Sequence, residues 1–143
     1  MPDFSDSYAY LNERSYVPIS GGEHEYTRWG FKGLLDLDAC DLYQPDPAWS
    51  GGISEVAKIL DLVSAYDKQA AIHNSIPSLG IHMSCAQPAN LVPFAEYLML
   101  VGDASQYFFK HKCRPENGYF AVPEQPGIGI EFDESKIVCE EVE

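Results

Sequence analysis

The feature that most constrains the fold of this chain is a repeated arrangement: a short apolar run, a break, then a single acidic or imidazole side chain. Tyr16-Val17-Pro18-Ile19 leads through Ser20-Gly21-Gly22 to Glu23. Cys40-Asp41-Leu42-Tyr43-Gln44 ends in Pro45-Asp46, and Ala70-Ala71-Ile72 ends in His73. A fourth run, Phe94-Ala95, leads into Glu96. A helix-length segment separates each pair. Strands alternating with helices imply a parallel sheet with right-handed crossovers. In such sheets functional groups sit just past the carboxyl ends of the strands. The reading is therefore an α/β fold with Glu23, Asp46, His73 and Glu96 along one rim.

The connecting segments support this. Residues 25–37 read as a helix, with Trp29, Leu34 and Leu37 apolar and Arg28 and Lys32 on the polar side. The clearest helix carries Ile53, Val56, Ala57, Leu60 and Val63 at i, i+3, i+4, i+7 and i+10 and ends near Tyr66. Residues 5–14 read as a short helix with Ser5 as its N-cap and Tyr8 and Leu11 on one face. Residues 79–86 form another, packing Leu79, Met83 and Ala86. Residues 94–100 are expected to be the last strand of the sheet. Beyond Val101 the alternation stops. Glu116-Asn117-Gly118 and Gln125-Pro126-Gly127 are turns, and residues 127–132 alternate as a short edge strand. Trp29 and Trp49 read as core and loop-packing groups.

Composition narrows the function classes. With 143 residues and a hydrophobic share of 45%, the chain can form one domain with a real core. Twenty-two acidic residues against nine basic ones give a net charge of −13, which disfavours nucleic acid as a partner. No apolar run approaches the ~20 residues of a membrane span. Cys40, Cys85, Cys113 and Cys139 show no metal-binding spacing and read as reduced thiols of a cytoplasmic protein. GxSxG, Walker and GxGxxG motifs are absent.

Two longer words are more specific. Gly22-Glu23-His24-Glu25 with Thr27-Arg28-Trp29-Gly30-Phe31, and Gln44-Pro45-Asp46 with Trp49-Ser50-Gly51-Gly52-Ile53-Ser54-Glu55, resemble the enolase superfamily in its mandelate racemase and muconate lactonizing branch. Within it they look most like L-rhamnonate dehydratases. The resemblance runs from about Asp3 to about Phe132 and covers only the C-terminal part of such an enzyme. A complete (β/α)8 barrel takes about 250 residues. The resemblance thus implies the C-terminal half of a (β/α)-barrel over residues 1–101, with about four parallel strands and their helices. Residues 102–143 would be an irregular tail that in the family returns to the capping domain.

The resemblance also implies a chemistry. The family removes the proton α to a carboxylate and stabilises the enediolate with magnesium. Glu23 would be one of three carboxylate ligands, the other two not being present in this chain; Glu25 is a second candidate. His73 would be the general base and Asp46 its partner carboxylate. Glu96 would hydrogen-bond the substrate carboxylate, and His24 a substrate hydroxyl. Where the family usually has Pro-His-Gly, this chain has Ile72-His73-Asn74. His82 and His111 match no motif and read as structural. The implied function is an acid-sugar dehydratase acting on a small-molecule acid sugar, with neither nucleic acid nor membrane as partner. Another reaction of the superfamily (racemisation, epimerisation or cycloisomerisation) and a catalytically inactive piece remain as alternatives. Because half a barrel exposes strand edges and an apolar face, a homo-oligomer is expected.

Overall fold

The computed structural model describes residues 5–138. In chain order these form α1 (Ser5–Arg14), β1 (Ser20–Gly21), α2 (Thr27–Asp36), β2 (Leu42–Tyr43), α3 (Ile53–Ala65), β3 (Gln69–Ala70), α4 (Pro77–Cys85) and α5 (Gly102–Ser105), then a 3-10 turn at Glu134–Lys136. The strands make one parallel sheet in the order β1-β2-β3, with Ser20 opposite Leu42 and Leu42 opposite Gln69. A parallel pair needs a long crossover, and α2 and α3 are those crossovers. The expected α/β half-barrel architecture is the one observed.

Packing follows from the apolar stripes. Phe31, Leu34 and Leu35 of α2 and Val56, Ile59, Leu60 and Val63 of α3 bury against Tyr43, Ala70 and Ile72, with Leu91 and Val92 closing the far side. The buried stripe of α3 therefore begins at Val56 and includes Ile59. Ile53 and Ala57 lie on its exposed side. Ile53 sits in the first turn, outside the run 56, 59, 60, 63 that faces the sheet. Trp29 is 72% exposed and is not a core residue. At ~100° per residue it stands about 200° from Phe31, on the opposite face of α2. Its neighbour Arg28 instead joins the two helices. Arg28 donates Nε to Glu55 Oε1 (2.9 Å) and Nη2 to Glu55 Oε2 (2.7 Å), and its backbone N–H adds a bond to Oε1 (2.9 Å).

Three extended segments differ from expectation. Tyr16 and Val17 are exposed, and β1 contains only Ser20 and Gly21. Residues 94–100 are not a strand. The open edge of β3 receives one backbone bond, from Ala70 N–H to the Leu91 carbonyl (2.8 Å). Two residues later Pro93 has no N–H to extend a ladder. Residues 127–132 form no strand; one antiparallel bridge joins Phe109 and Phe132, and Glu131 beside it pairs with Lys110. The turn at Glu116-Asn117-Gly118 is as expected: Asn117 and Gly118 have φ of 51° and 82°, and Glu116 and Tyr119 exchange backbone bonds of 2.8 and 3.0 Å. Two positive φ values in succession match a tight hairpin turn. In α1 no residue is buried, and Tyr8 and Leu11 are largely exposed. Cys40, Cys85 and Cys113 are free thiols, while Cys139 lies outside the described residues. No helix among the described residues is long and apolar enough to cross a membrane.

Two outcomes follow for stability. Ile59→Ala should destabilise the chain by about 2–5 kcal/mol in urea denaturation, because it empties a fully buried site. The bonds from Arg28 hold the Glu55 carboxyl down at about 2, below the ~4.3 of an unfolded chain. A carboxyl depressed by folding contributes stability above its unfolded pKa and loses it as pH falls through the folded one. Glu55→Gln should therefore be less stable than wild type at neutral pH, with the difference shrinking between about pH 4 and 2. Parallel stability curves across that range would contradict this.

Candidate functional site

At the carboxyl end of β1, Gly22 has φ of 101°, and a Cβ there would press on the Phe31 ring at 2.9 Å. A glycine is needed for both reasons. The backbone then turns back, with Glu25 N–H bonding the Gly22 carbonyl (3.0 Å). Glu23 is thereby set on the rim immediately after the strand.

At the carboxyl end of β2, Gln44 N–H bonds the Gly21 carbonyl (2.8 Å). Pro45 has no N–H, but its carbonyl accepts the N–H of His73 (3.0 Å). That bond carries the β2–β3 pairing past the strands and brings Asp46 beside His73. Asp46 Oδ2 lies 2.6 Å from His73 Nδ1. Asp46 Oδ1 accepts the Ala48 N–H (2.7 Å) and the Ser75 hydroxyl (2.9 Å). On the other side of the ring, His73 Nε2 is 3.0 Å from Glu23 Oε2. An imidazole between two carboxylates donates from both nitrogens only as the imidazolium. The electrostatics agree. The Asp46 bond is the largest influence on His73 and raises its pKa; burial opposes it, and Glu96 and Glu23 add to the rise. Asp46 is 2% exposed. Burial pushes its carboxyl up, but the bonds from His73, Ser75 and the Ala48 N–H outweigh that and leave it below the ordinary value.

Glu96 reaches the same rim without a strand. Gln44 Nε2 donates to its Oε2 (2.9 Å), and Asn74 Nδ2 donates to its backbone carbonyl (2.8 Å). His24 sits on the exposed outer side, its Nδ1 3.8 Å from Glu23 Oε1. Trp49 does pack the loops. Its Nε1 donates to the His24 carbonyl (3.1 Å), its ring meets His24 edge-on at 5.7 Å, and it stacks on Tyr26 at 5.5 Å. Ser50, fully buried, ties the two loops from beneath. Its hydroxyl donates to the Glu25 carbonyl (3.1 Å) and accepts the Asp46 N–H (3.3 Å), while its own carbonyl accepts the Thr27 N–H (3.1 Å).

All five sequence-derived candidates therefore fall in one region: Glu23, Asp46, His73 and Glu96 around the imidazole, and His24 at its edge. Gln44, Ser50, Asn74 and Ser75 belong to the same network and were not singled out as site residues. Gln44, Ser50 and Asn74 stand in the words quoted above, but their contacts reach across the sheet rim, and spacing along the chain does not mark them as site residues. The Glu25 carboxylate lies against Gly30. Among the described residues no group of three His, Cys, Asp or Glu side chains is arranged to hold a metal ion. These residues do not by themselves fit a magnesium centre. A cavity of about 570 Å³ lies elsewhere, in the tail, lined by Lys110, His111, Cys113, Arg114 and Gln125 among others.

Over residues 1–136 the sequence matches a family model described as enolase C-terminal domain-like. The chain belongs to that family. The resemblance read from the Gly-Gly-Glu and Gln-Pro-Asp words is thereby borne out. Among solved structures, a member of the enolase superfamily from Salmonella Typhimurium is 32% identical with a TM-score of 0.81, covering 94% of this chain and 35% of that one. L-Rhamnonate dehydratase from Gibberella zeae is 30% identical with a TM-score of 0.79, covering 94% of this chain and 36% of that one. L-Talarate dehydratase from Polaromonas sp. JS666, solved with magnesium and L-glucarate, shares the fold at 24% identity and a TM-score of 0.77, over 92% of this chain and 35% of its own. The chain thus spans little more than a third of the length of these enolase-superfamily proteins.

Ser50→Ala removes the hydroxyl bond that joins the Asp46 loop to the Glu23 loop and a second one inside the Asp46 loop. It should destabilise the chain by about 1–3 kcal/mol in urea denaturation. A loss under about 0.5 kcal/mol would show that the loops do not depend on it.

Proposed function

We propose that this chain carries part of the active site of an acid-sugar dehydratase of the L-rhamnonate type, within a protein whose further strands and cap complete that site. The observation that carries the reading is the His73 ring, with Asp46 on Nδ1 and Glu23 on Nε2. A carboxylate on Nδ1 fixes the tautomer and raises the basicity of Nε2. That is what removal of a weakly acidic α-proton needs.

In this scheme Glu23 takes the Nε2 proton of the resting imidazolium as substrate arrives, turns away and passes it to solvent, which leaves His73 neutral with its remaining proton on Nδ1. Neutral His73 takes the α-proton at Nε2, and the C–H electron pair moves toward the substrate carboxylate as an enediolate. The imidazolium then returns its proton to the β-hydroxyl, which leaves as water as the C–O bond breaks. Glu96, with Oε2 already bonded by Gln44, presents Oε1 to a substrate carboxylate oxygen and donates to it when protonated. His24 bonds a hydroxyl further along the sugar. When bound, magnesium supplies Lewis-acid stabilisation of negative charge. Glu23 is proposed as one of its ligands, with companion carboxylates from outside this chain. The tail from residue 102 is proposed to meet the capping domain. Exposed Tyr16, Val17, Met99 and Leu100 favour association with further polypeptide or with other copies, and the protein is proposed to work in the cytoplasm.

The test is a screen of the intact protein against acid sugars with magnesium, detecting 2-keto-3-deoxy products. On the substrate found, His73→Asn should abolish turnover. Asp46→Asn should lower kcat by ~10²–10⁴-fold, with circular dichroism unchanged in both. Near-normal rates from His73→Asn would overturn the assignment.

A further inference from the structure

Glu96 occupies an unusual position mechanically. Among the described residues, 93–97 make no backbone–backbone hydrogen bond. The flanking anchors are Val92, whose N–H bonds the Pro88 carbonyl, next to Leu91 bonded to Ala70, and Leu98, whose carbonyl accepts from Val101 and Gly102. A side chain expected to meet a substrate needs to be held within about 0.5 Å of its working place, and here no strand ladder does so.

Two carboxamides stand in for the ladder. Gln44, directly after β2, donates Nε2 to the Glu96 carboxylate at 2.9 Å. Asn74, directly after His73, donates Nδ2 to the Glu96 backbone carbonyl at 2.8 Å. One grips the working end of the residue, the other its main chain. The orientation of Asn74 is set by chemistry, because a carbonyl acceptor must face the NH2 end of the amide. Its Oδ1 is then turned into the protein with no hydrogen-bond partner, in a residue only 2% exposed. Leaving a buried acceptor unpaired is unfavourable, so the bond to Glu96 is retained against a penalty. Space for the amide comes from Gly80 in the middle of α4. A Cβ there would collide with Asn74 Oδ1 and stand 2.7 Å from its Cγ. Glycine inside a helix is unfavourable relative to alanine, a second penalty accepted for the same amide.

We propose that Gln44 and Asn74 are positioning residues that clamp Glu96 beside His73, with Gly80 as the recess that admits Asn74. The catalytic consequence rests on the reading of Glu96 as a substrate-binding group; the clamp itself does not. The clamp joins the residue after the base to the main chain of the acid, so the spacing of the two groups is set by one side chain. Gln44 occupies Oε2 and leaves Oε1 as the oxygen turned to the ligand.

The test uses the intact protein carrying this chain, labelled at alanine methyls. Ala95 adjoins Glu96, and Ala70 in β3 is the internal control. The variants are Asn74→Asp, which keeps the shape and removes the donor, Gly80→Ala and Gln44→Leu. Gln44 is only half-buried, so Gln44→Leu remains informative if either of the others fails to fold. Each folded variant should lower the Ala95 methyl order parameter and leave that of Ala70 unchanged. On the sugar acid that the wild type turns over, kcat/KM should fall at least about tenfold, an effect a merely structural role would not produce at an unchanged Ala70. An unchanged Ala95 would overturn the clamp. A loosened Ala95 with kcat/KM within about twofold of wild type would overturn the positioning role and leave the proposed activity standing. If the wild type turns over no acid sugar, the functional reading fails, and the methyl data alone decide the clamp.

Discussion

One backbone hydrogen bond, from the His73 N–H to the Pro45 carbonyl, holds the arrangement together. It extends the parallel pairing of β2 and β3 beyond the last paired residues, Tyr43 and Ala70. Parallel registry is what puts three carboxyl ends on one rim, and this bond makes two of the emerging loops adjacent. Asp46 then needs only its own short side chain to reach the imidazole at 2.6 Å. Proline suits the position: it cannot donate to a neighbour, and its carbonyl remains available. Everything around the ring builds on that contact, with Glu23 from one strand over and Ser75 steadying Asp46 from behind.

The rim is a network of acids organised by a single cation. Asp46, Glu23 and Glu96 all face His73, and each favours its charged state. Asp46 and Glu23, each within 3.0 Å of the ring, are held near one another through it. The polar scaffold below is neutral by comparison: Ser50, Ser75, Gln44 and Asn74 supply directed donors without adding charge. That division holds the imidazole firmly, and in the proposed scheme it leaves Glu23 open to displacement by a ligand.

Much of this was legible in the sequence because it is written in local terms. Apolar runs stopped by Gly-Gly, Pro-Asp and His mark three strand ends, and the structure has a short strand ending within a few residues of each. The α3 stripe was legible in part: Val56, Leu60 and Val63 are buried as read, but Ile59 takes the place of Ile53 and Ala57, since periodicity alone does not fix where the buried stripe begins. The fourth strand was not there to be read. Phe94-Ala95 looks apolar enough, but Pro93 removes the donor that pairing with β3 would need, and the segment is held by side chains instead. Such side-chain anchors leave no local trace. Gln44 and Glu96 are 52 positions apart, and Asn74 and Glu96 are 22 apart. Trp29 misled for a simpler reason: its size suggests burial, while its phase on α2 puts it outside.

The measurement that tests the central claim most directly is a long-range proton–nitrogen correlation spectrum of the histidine rings, recorded on the intact protein without substrate. The account predicts a strongly deshielded proton on His73 Nδ1, slow to exchange because Asp46 is buried around it, and absent in Asp46→Asn. A His73 ring with no proton on Nδ1, or an Nδ1 proton unaffected by Asp46→Asn, would show that the imidazole is not held by Asp46 and would contradict the account of the rim.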